Sequence, residues 1–486
     1  MRDENLIACL YPAGSLLSSF RGLDTIRAAP GSMRLAPLLE DRALGPESPQ
    51  SLRGDNRGSR GQRAEADKPP HYHYSPGIQL RFDQLRKNQI GFVFGKDASC
   101  DVVLPRTDSL RGIGDRQCVI MFDIRGRLIL RDLRDPRPGR EATSVSYSGL
   151  GGDGRRGFTW VLSGDDVTRK QSSIIISFHS NLSFQIVVAP HDFHSPRYKQ
   201  KVSRFRDSTV HSSKFLDVTH KYQACEAQTV TPSSILIKDG ELGRGSQAVV
   251  SQVWDVSTGT VYACKEPLDK KNKEQLDRLR TEAKILRRIS HANIVRLIFL
   301  RKRPIPLLVL ECIPLQSMDE QVMKKPFSAE ETMSILQQGL SALRHLHERE
   351  KPIVHRDIKP ANILIQSRTP RIHIKLCDFG FSKASRNFLA TKVGTPIFTA
   401  PEVFTEDIFR ESVDIWSLGV VILLQSHGLP CDDGPHFDGE AWAWKIVWFL
   451  NALAEATSCP LVDFLTCYML VKNPVTRIRA FGSQRW

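Results

Sequence analysis

Short runs of β-branched and apolar residues, "IGFVFG", "CDVVLP", "QCVIMF", "RLILRDL", "FTWVL", "SIIISF" and "LSFQIVVA", recur between residues 78 and 190. Gly, Asp, Asn and Pro separate them, and no stretch of helical period intervenes. Repeated short strands bounded by turn formers predict an all-β sandwich or barrel, placed at 76–190. Ahead of it, residues 1–75 are rich in Arg, Gly, Pro and Ser without a sustained hydrophobic period, so a disordered leader is expected. Behind it, 191–230 carries "SPRYKQKVSRFRDS", a polar basic stretch that reads as a linker.

From 231 the pattern changes again, first to strands ("SILIKDGELG", "VVSQVWDV", "VYACKEP") and then to helices. In "EQLDRLRTEAKILRRI", Leu276, Leu279, Ala283, Leu286 and Ile289 recur at three- and four-residue steps and form one buried stripe. Glu282 falls on the edge of that stripe, so it should face inward and require a cation. "SAEETMSILQQGLSALRHLHE" repeats the design: Ser328 and Glu331 form a capping box, and Met333, Leu336, Leu340, Leu343 and His347 line one side. Strands followed by helices predict an α+β unit of two lobes over 231–486.

Composition narrows the class. With 41% hydrophobic and 25% charged residues among 486, the chain is ordinary globular material. The longest apolar runs, "SLGVVILL" and "WAWKIVWFLNALA", are too short or carry a Lys, so no segment should span a membrane. Acids follow Arg2, and Pro12 and Gly14 interrupt the first apolar run, which argues against a secretory signal. Ten cysteines lie scattered without a CxxC pair, as expected for reduced thiols in the nucleus or cytoplasm. The net charge of +15 is spread thinly, so a solvated basic surface is expected and direct contact with nucleic acid is not.

The candidate chemistry lies in the second half. "GELGRGSQAVV" places Gly243 and Gly245 in a turn between strands, where bare backbone can approach phosphate oxygens; Ala248 stands where a third glycine would fall, and Val250 offers an apolar cover. Lys265 follows on a strand fifteen residues later, and Glu282 seventeen beyond it. Such a pair can hold nucleotide phosphates, and by itself it fits an ordinary buried ion pair equally well.

"HRDIKPAN" at 355–362, "DFG" at 378–380, "GTPIFTAPE" at 394–402 and "DIWSLG" at 414–419 then arrive in one order, and with them the chain resembles the eukaryotic protein kinases from about 231 onward. The resemblance implies ATP and Mg2+ as cofactors. It makes Asp357 the group that accepts or orients the substrate hydroxyl proton, Lys359 the cation that neutralises the transferring phosphate, and Asn362 and Asp378 the magnesium ligands. Leu242, Gly243, Gly245, Val250, Ala263 and Lys265 would surround the nucleotide. The adenine would bond to hinge backbone near Glu311 and Cys312, behind a gatekeeper at Leu310. Lys359, two residues after Asp357, is the Ser/Thr kinase pattern. Arg356 is implied to receive a phosphorylated loop residue, for which Thr391 is placed, and Arg477 to pair with Glu402. Ala361, Gln316 and Ser317 stand where acids would attract basic substrates, so a weakened preference for such substrates is expected.

Residues 78–190 resemble the forkhead-associated (FHA) domain, the β-sandwich that reads phosphothreonine. "FGKDASCDVVLP" fits its opening motif with Lys96 in place of Arg, while "GDRQ" puts Gly114 and Gln117 where Ser and His would stand. Lys keeps the charge of Arg without its bidentate fork. The resemblance leaves Lys96 and Arg116 as the phosphopeptide candidates, and a docking domain that does not read phosphate as the other reading.

An FHA-like domain before a Ser/Thr kinase is the arrangement of the checkpoint kinases of the DNA-damage response, within the calmodulin-dependent kinase group. That class implies protein substrates, a phosphothreonine-bearing partner, and a monomer or a transient activation dimer. The nine residues after Arg477 leave no room for a calmodulin-binding tail, so calcium control is not expected. The alternative is a kinase-fold scaffold that binds partners without turning over ATP, and the presence of Lys265, Asp357 and Asp378 favours the enzyme.

Overall fold

The computed structural model describes residues 3–13, 27–28, 33–37, 74–88, 90–133, 141–164, 168, 170–207, 234–302, 306–384, 395–405, 410–430 and 438–479. The chain divides into two compact units, one of residues 1–229 with 234–237 and 254–260, the other of the remainder.

The first unit holds two sheets. One runs in the order β10-β9-β12-β13-β1-β4-β3, from β1 (Leu6–Ala13), β3 (Met33–Pro37), β4 (Tyr74–Arg81), β9 (Ser144–Tyr147), β10 (Leu150–Gly151), β12 (Ile174–His179) and β13 (Leu182–Val188). The other runs β11-β8-β7-β5-β6-β2, from β2 (Arg27–Ala28), β5 (Phe92–Gly95), β6 (Val102–Val103), β7 (Cys118–Phe122), β8 (Leu128–Asp132) and β11 (Thr159–Ser163). Strand alternation sets the core: in β13, Leu182, Phe184 and Ile186 are buried while the residues between them are half-buried. The two sheets meet where Phe94 stacks on Phe178 at 5.2 Å between ring centroids, and where the Tyr147 hydroxyl donates to the Val161 carbonyl at 2.8 Å.

Two boundaries expected from sequence are corrected. Leu6–Ala13, inside the expected disordered leader, is an interior strand that pairs antiparallel with β13, Leu10 opposite Ile186, and with β4, Leu10 opposite Ile78. Eight apolar-rich residues were outweighed by the polar bulk of the segment around them. Arg27–Ala28 and Met33–Pro37 in the same stretch are strands as well, and the remaining leader positions, 1–2, 14–26, 29–32 and 38–73, lie outside the described residues.

Pro196–Asp207, read as linker, is a helix, α1. Its buried residues Tyr198, Val202 and Phe205 fall at helical spacing among charged neighbours, which is why composition hid them. Phe205 packs on Phe92, Phe122 and Phe82, with centroids 5.3–6.1 Å apart, and the Arg86 guanidinium covers its other face at 3.7 Å. Arg197 pairs with Glu4, and the Lys201 ammonium donates to the Glu4 carbonyl and to Asn5, so α1 and the start of the chain secure each other. The rest of the expected linker, 208–233, lies outside the described residues.

The second unit begins with a five-stranded sheet in the order β14-β15-β16-β18-β17: β14 (Leu236–Arg244) and β15 (Ala248–Asp255), of which Leu236–Ile237 and Trp254–Asp255 are counted with the first unit, then β16 (Val261–Pro267), β17 (Leu297–Arg301) and β18 (Leu307–Glu311). Helix α2 (Lys273–Leu286) lies between β16 and β17 in the chain, opened by the Asn272 side chain, which accepts from the Gln275 N–H. It buries Leu279, Glu282, Ala283 and Leu286 as the stripe predicts.

The helical part follows with α3 (Met318–Lys324), α4 (Ala329–His347), α5 (Ser412–His427) and α6 (Gly439–Ala456). The capping box of Ser328 and Glu331 is present on α4. Met333 is the exception to its predicted face and stands 40% exposed. Helix α5 is buried continuously from Val413 to Leu423 and forms the axis of this part. Gly339 of α4 lets α5 approach, since a Cβ there would lie 2.9 Å from the Leu418 side chain. Among the described residues no helix is long and apolar enough to cross a membrane.

If α1 is part of the first unit, Phe205→Ala should cost about 3–5 kcal/mol. Limited trypsin digestion of the full chain should then cleave after Lys199 and Arg204 well before the wild type is cut there. Equal cleavage rates would return the segment to a linker.

Candidate active site

Three elements converge on one ammonium group. Lys265 on β16 and Glu282 on α2 are both buried, and Lys265 Nζ lies 2.8 Å from Glu282 Oε2 and 2.7 Å from Asp378 Oδ1. Glu282 Oε1 also accepts the Phe379 backbone N–H at 3.3 Å, so α2 grips the "DFG" turn directly. Asp378 sits in the left-handed backbone region (φ 63°), and its Oδ1 accepts the Gly380 N–H at 3.2 Å. Burial lowers the Lys265 pKa, but the charges of Asp378 and Glu282 outweigh it and raise the ammonium pKa above its ordinary value. Burial likewise pushes the Asp378 carboxyl up, and the adjacent Lys265 overcomes this and brings it down to about 2.

The second cluster is the segment His355–Asn362. Asp357 is 5% exposed and meets Lys359 Nζ at 2.9 Å through Oδ2. Asn362 Nδ2 donates to the Asp357 carbonyl at 2.7 Å and to Asp357 Oδ2 at 2.9 Å. Thr395 closes the group: its hydroxyl accepts from Lys359 Nζ at 2.9 Å and donates to Asp357 Oδ1 at 3.3 Å. The hydroxyl therefore bridges the two charged side chains.

Asp414, at the start of α5, anchors this segment from beneath. It is wholly buried and accepts the backbone N–H groups of His355 (2.8 Å) and Arg356 (2.9 Å) and the His347 ring N–H (2.9 Å). Burial raises its carboxyl pKa, and the His347 hydrogen bond, the nearby histidines and the Arg356 N–H reverse this and hold it below the ordinary value. Arg356 has φ 73°, a conformation that non-glycine residues rarely adopt, and the N–H bond to Asp414 helps to hold it there.

The other expected positions fall as follows. Gly243 lies within β14 instead of the turn, and Gly245 begins the turn, its N–H donating to the Ala248 carbonyl at 2.9 Å. A Cβ on Gly243 would meet nothing within 4 Å, and one on Gly245 only that carbonyl at 3.8 Å, so both face open space. Ala263 pairs across the sheet with Leu310, and both belong to the core against which Leu242 and Val250 pack. Glu311 and Cys312 follow, half-buried. The Arg477 guanidinium reaches Glu402 at 2.8 Å, fully buried, as the resemblance implies. Thr391 lies outside the described residues.

The oxygens suit a hard cation. Both described Asn362 Nδ2 bonds go to Asp357, which leaves its amide oxygen as the donor atom, and Asp378 adds a carboxylate. Among the described residues no group of three His, Cys, Asp or Glu could hold a metal by itself. A divalent ion here would complete its shell from phosphate and water, the usual manner of Mg2+.

In the first unit, Lys96 and Arg116 are committed to backbone and amide partners. Lys96 Nζ donates to the Leu110 carbonyl at 2.9 Å, and Arg116 to Asn88 Oδ1 at 3.0 Å. Gln117 is fully buried: its Oε1 accepts the Gly114 N–H at 2.9 Å and its Nε2 donates to Thr143 at 2.9 Å. Thr143 in turn donates to Asp132 at 2.6 Å. Gln117 thus serves as a scaffold for the loop that carries Arg116.

Sequence reasoning missed the roles of Thr395 and Asp414. Thr395 was visible only as part of the "GTP" of the activation segment, and Asp414 only as the first letter of "DIWSLG".

A protein kinase domain model matches residues 236–478. Among curated relatives, the chain is 30% identical over 257 residues to mouse calcium/calmodulin-dependent protein kinase type IV, covering 50% of this chain and 52% of that protein. It is 34% identical over 221 residues to the DNA damage response protein kinase DUN1 of Saccharomyces cerevisiae, covering 39% and 42%. It is 33% identical over 261 residues to calcium/calmodulin-dependent protein kinase type II of Caenorhabditis elegans, covering 49% and 34%. The chain thus spans about half or less of the length of these relatives.

Removing the Asp414 carboxylate strands three buried donors, so Asp414→Ala should destabilise the second unit by about 3–5 kcal/mol, read as a lowered denaturation midpoint. Unchanged stability would show that the segment from His355 to Asn362 holds its shape without it. The matched model, which spans half of the chain and contains both clusters, establishes that this protein belongs to the protein kinase domain family.

Proposed function

We propose that the second unit is a bilobal Ser/Thr protein kinase that transfers the γ-phosphoryl group of ATP to hydroxyls of protein substrates. The observation that carries this reading is the closed set Asp357, Lys359 and Thr395, a base, a cation and a bridging hydroxyl held together at 2.9–3.3 Å. Phosphoryl transfer needs positioning and charge neutralisation more than covalent help, and this set provides both.

In that reading Asp357 orients the substrate hydroxyl and takes its proton as the bond to phosphorus forms, while Lys359 balances charge on the transferring group. Lys265 holds the inner phosphates, and Glu282 keeps its ammonium aimed. Asn362 and Asp378 would hold Mg2+, which when bound neutralises phosphate oxygens. Gly243 at the end of β14 and Gly245 in the turn after it leave room for the phosphates, and the backbone of Glu311 and Cys312 takes the adenine. Phosphorylation of Thr391 would supply an anion for Arg356 and switch the enzyme on through charge-assisted bonds.

The first unit is read as an FHA-like docking domain that recruits a phosphothreonine-bearing partner near Lys96 and Arg116, with activation in a transient dimer. Similarity to a kinase named for the DNA damage response supports a checkpoint role in the nucleus or cytoplasm.

Incubation with ATP, Mg2+ and a Ser/Thr peptide array should give phosphoserine and phosphothreonine, and Asp357→Ala should lower the rate about 10²–10⁴-fold. Equal signal from both proteins would replace the enzyme with a kinase-fold scaffold. Phosphothreonine peptides should be retained over unmodified ones by the wild type and lost by a Lys96→Ala, Arg116→Ala double variant; equal retention would remove phosphate reading.

A further inference from the structure

Glu311 has two separate attachments in the second unit. Its backbone belongs to the hinge to which the reading above assigns the adenine, and its side chain closes a polar strap behind that hinge. Glu311 Oε1 takes the Lys375 ammonium at 2.9 Å and the Arg296 backbone N–H at 2.8 Å. The N–H of Glu311 returns to the Arg296 carbonyl at 3.1 Å, so the residue is fastened to the start of β17 from both its backbone and its side chain. The Lys375 and Glu311 side chains are only 11% and 21% exposed, where salt screens an ion pair weakly.

Lys375 lies on the strand β19 (His373–Leu376), which runs directly toward Asp378, three residues after Lys375. The strand is held firmly by its other contacts. Leu376 donates to the Asn293 carbonyl and accepts from the Val295 N–H, both at 2.9 Å. The Ile374 N–H donates to Gln338 Oε1 at 2.9 Å, and the Ile374 carbonyl accepts from Asn293 Nδ2 at 3.0 Å. Ile374 and Leu376 are wholly buried, and Lys375, between them, points to the opposite face of the strand. One ammonium thereby joins the hinge to the strand that delivers Asp378.

We propose that the Glu311–Lys375 ion pair is a positioning device that fixes the separation between the hinge backbone and Asp378, matching it to the span from base to phosphates of a single nucleotide. The inference rests on the reading of the second unit as an ATP-dependent kinase. Neither side chain touches the reacting atoms; both act through the backbone they hold. Met at 375 would keep the length of the side chain and lose the charge, whereas Arg would keep the charge.

The test uses the full chain with Lys375→Met, Lys375→Arg, Glu311→Gln and the Glu311→Gln, Lys375→Met pair. Adenosine, ADP and inorganic tripolyphosphate, each with Mg2+, are titrated by calorimetry, and KM values for ATP and peptide are measured alongside. In Lys375→Met the Kd for ADP, which reaches both ends, should rise about five- to tenfold, with adenosine and tripolyphosphate, which each reach one end, unchanged. KM for ATP should rise in step while the peptide KM stays, Lys375→Arg should recover most of the loss, and the double variant should lose less than the sum of the single ones. A purely structural pair would weaken all three ligands together, or lower the thermal midpoint with ADP affinity intact, and either result overturns the proposal. A wild type that binds none of the three ligands overturns the kinase reading itself, and this inference with it.

Discussion

The buried carboxylate of Asp414 is the constraint on which the segment from His355 to Asn362 depends. Arg356 adopts a left-handed backbone that costs about 1–3 kcal/mol for a non-glycine residue. Hydrogen bonds from two consecutive backbone N–H groups and a buried histidine to one anion offset that cost, at about 1.5–3 kcal/mol for each bond to a charged acceptor. Because Asp414 stands at the head of α5, the bend is fixed to a helix that is buried continuously from Val413 to Leu423. Asp357 follows the bend immediately, so its direction is set by α5 rather than by its own loop.

The ammonium of Lys265 does the equivalent work at the other cluster. A buried ion pair adds little net stability, since desolvation takes back most of its Coulombic gain. Its value here is geometric: one cation contacts a helix carboxylate and the Asp378 carboxylate together, which makes the positions of α2 and the "DFG" turn interdependent. The Phe379 N–H bond to Glu282 reinforces the same coupling without a second charge.

A comparable economy shapes the first unit. Asp101, 1% exposed, accepts the N–H groups of Lys87, Asn88 and Val93 and the Asn88 amide, which orders the turn that presents Asn88 to Arg116. Gln117 passes the loop's restraint on to Thr143 and Asp132. Side chains that sequence comparison would score as departures from a binding motif thus retain a structural task, because an amide can both accept and donate where an imidazole would.

Local pattern determined much of this protein. Short β-branched and apolar runs located seven strands of the first unit, the stripe of α2 and the capping box of α4 were readable from spacing, and spacing together with the short polar motifs named every member of the two polar clusters except Thr395. These features depend on residues close in the chain, where periodicity and capping chemistry act directly. What sequence left undecided depended on distance. Leu6–Ala13 became a strand only because β4 and β13 offered paired edges far along the chain, and α1 became a helix of the unit only because Phe82, Phe92 and Phe122 covered Phe205. Asp414, Thr395 and Lys375 acquired their partners 58, 38 and 64 positions away. A single side chain's letter records its chemistry; only packing decides which charge or backbone group it is brought to meet.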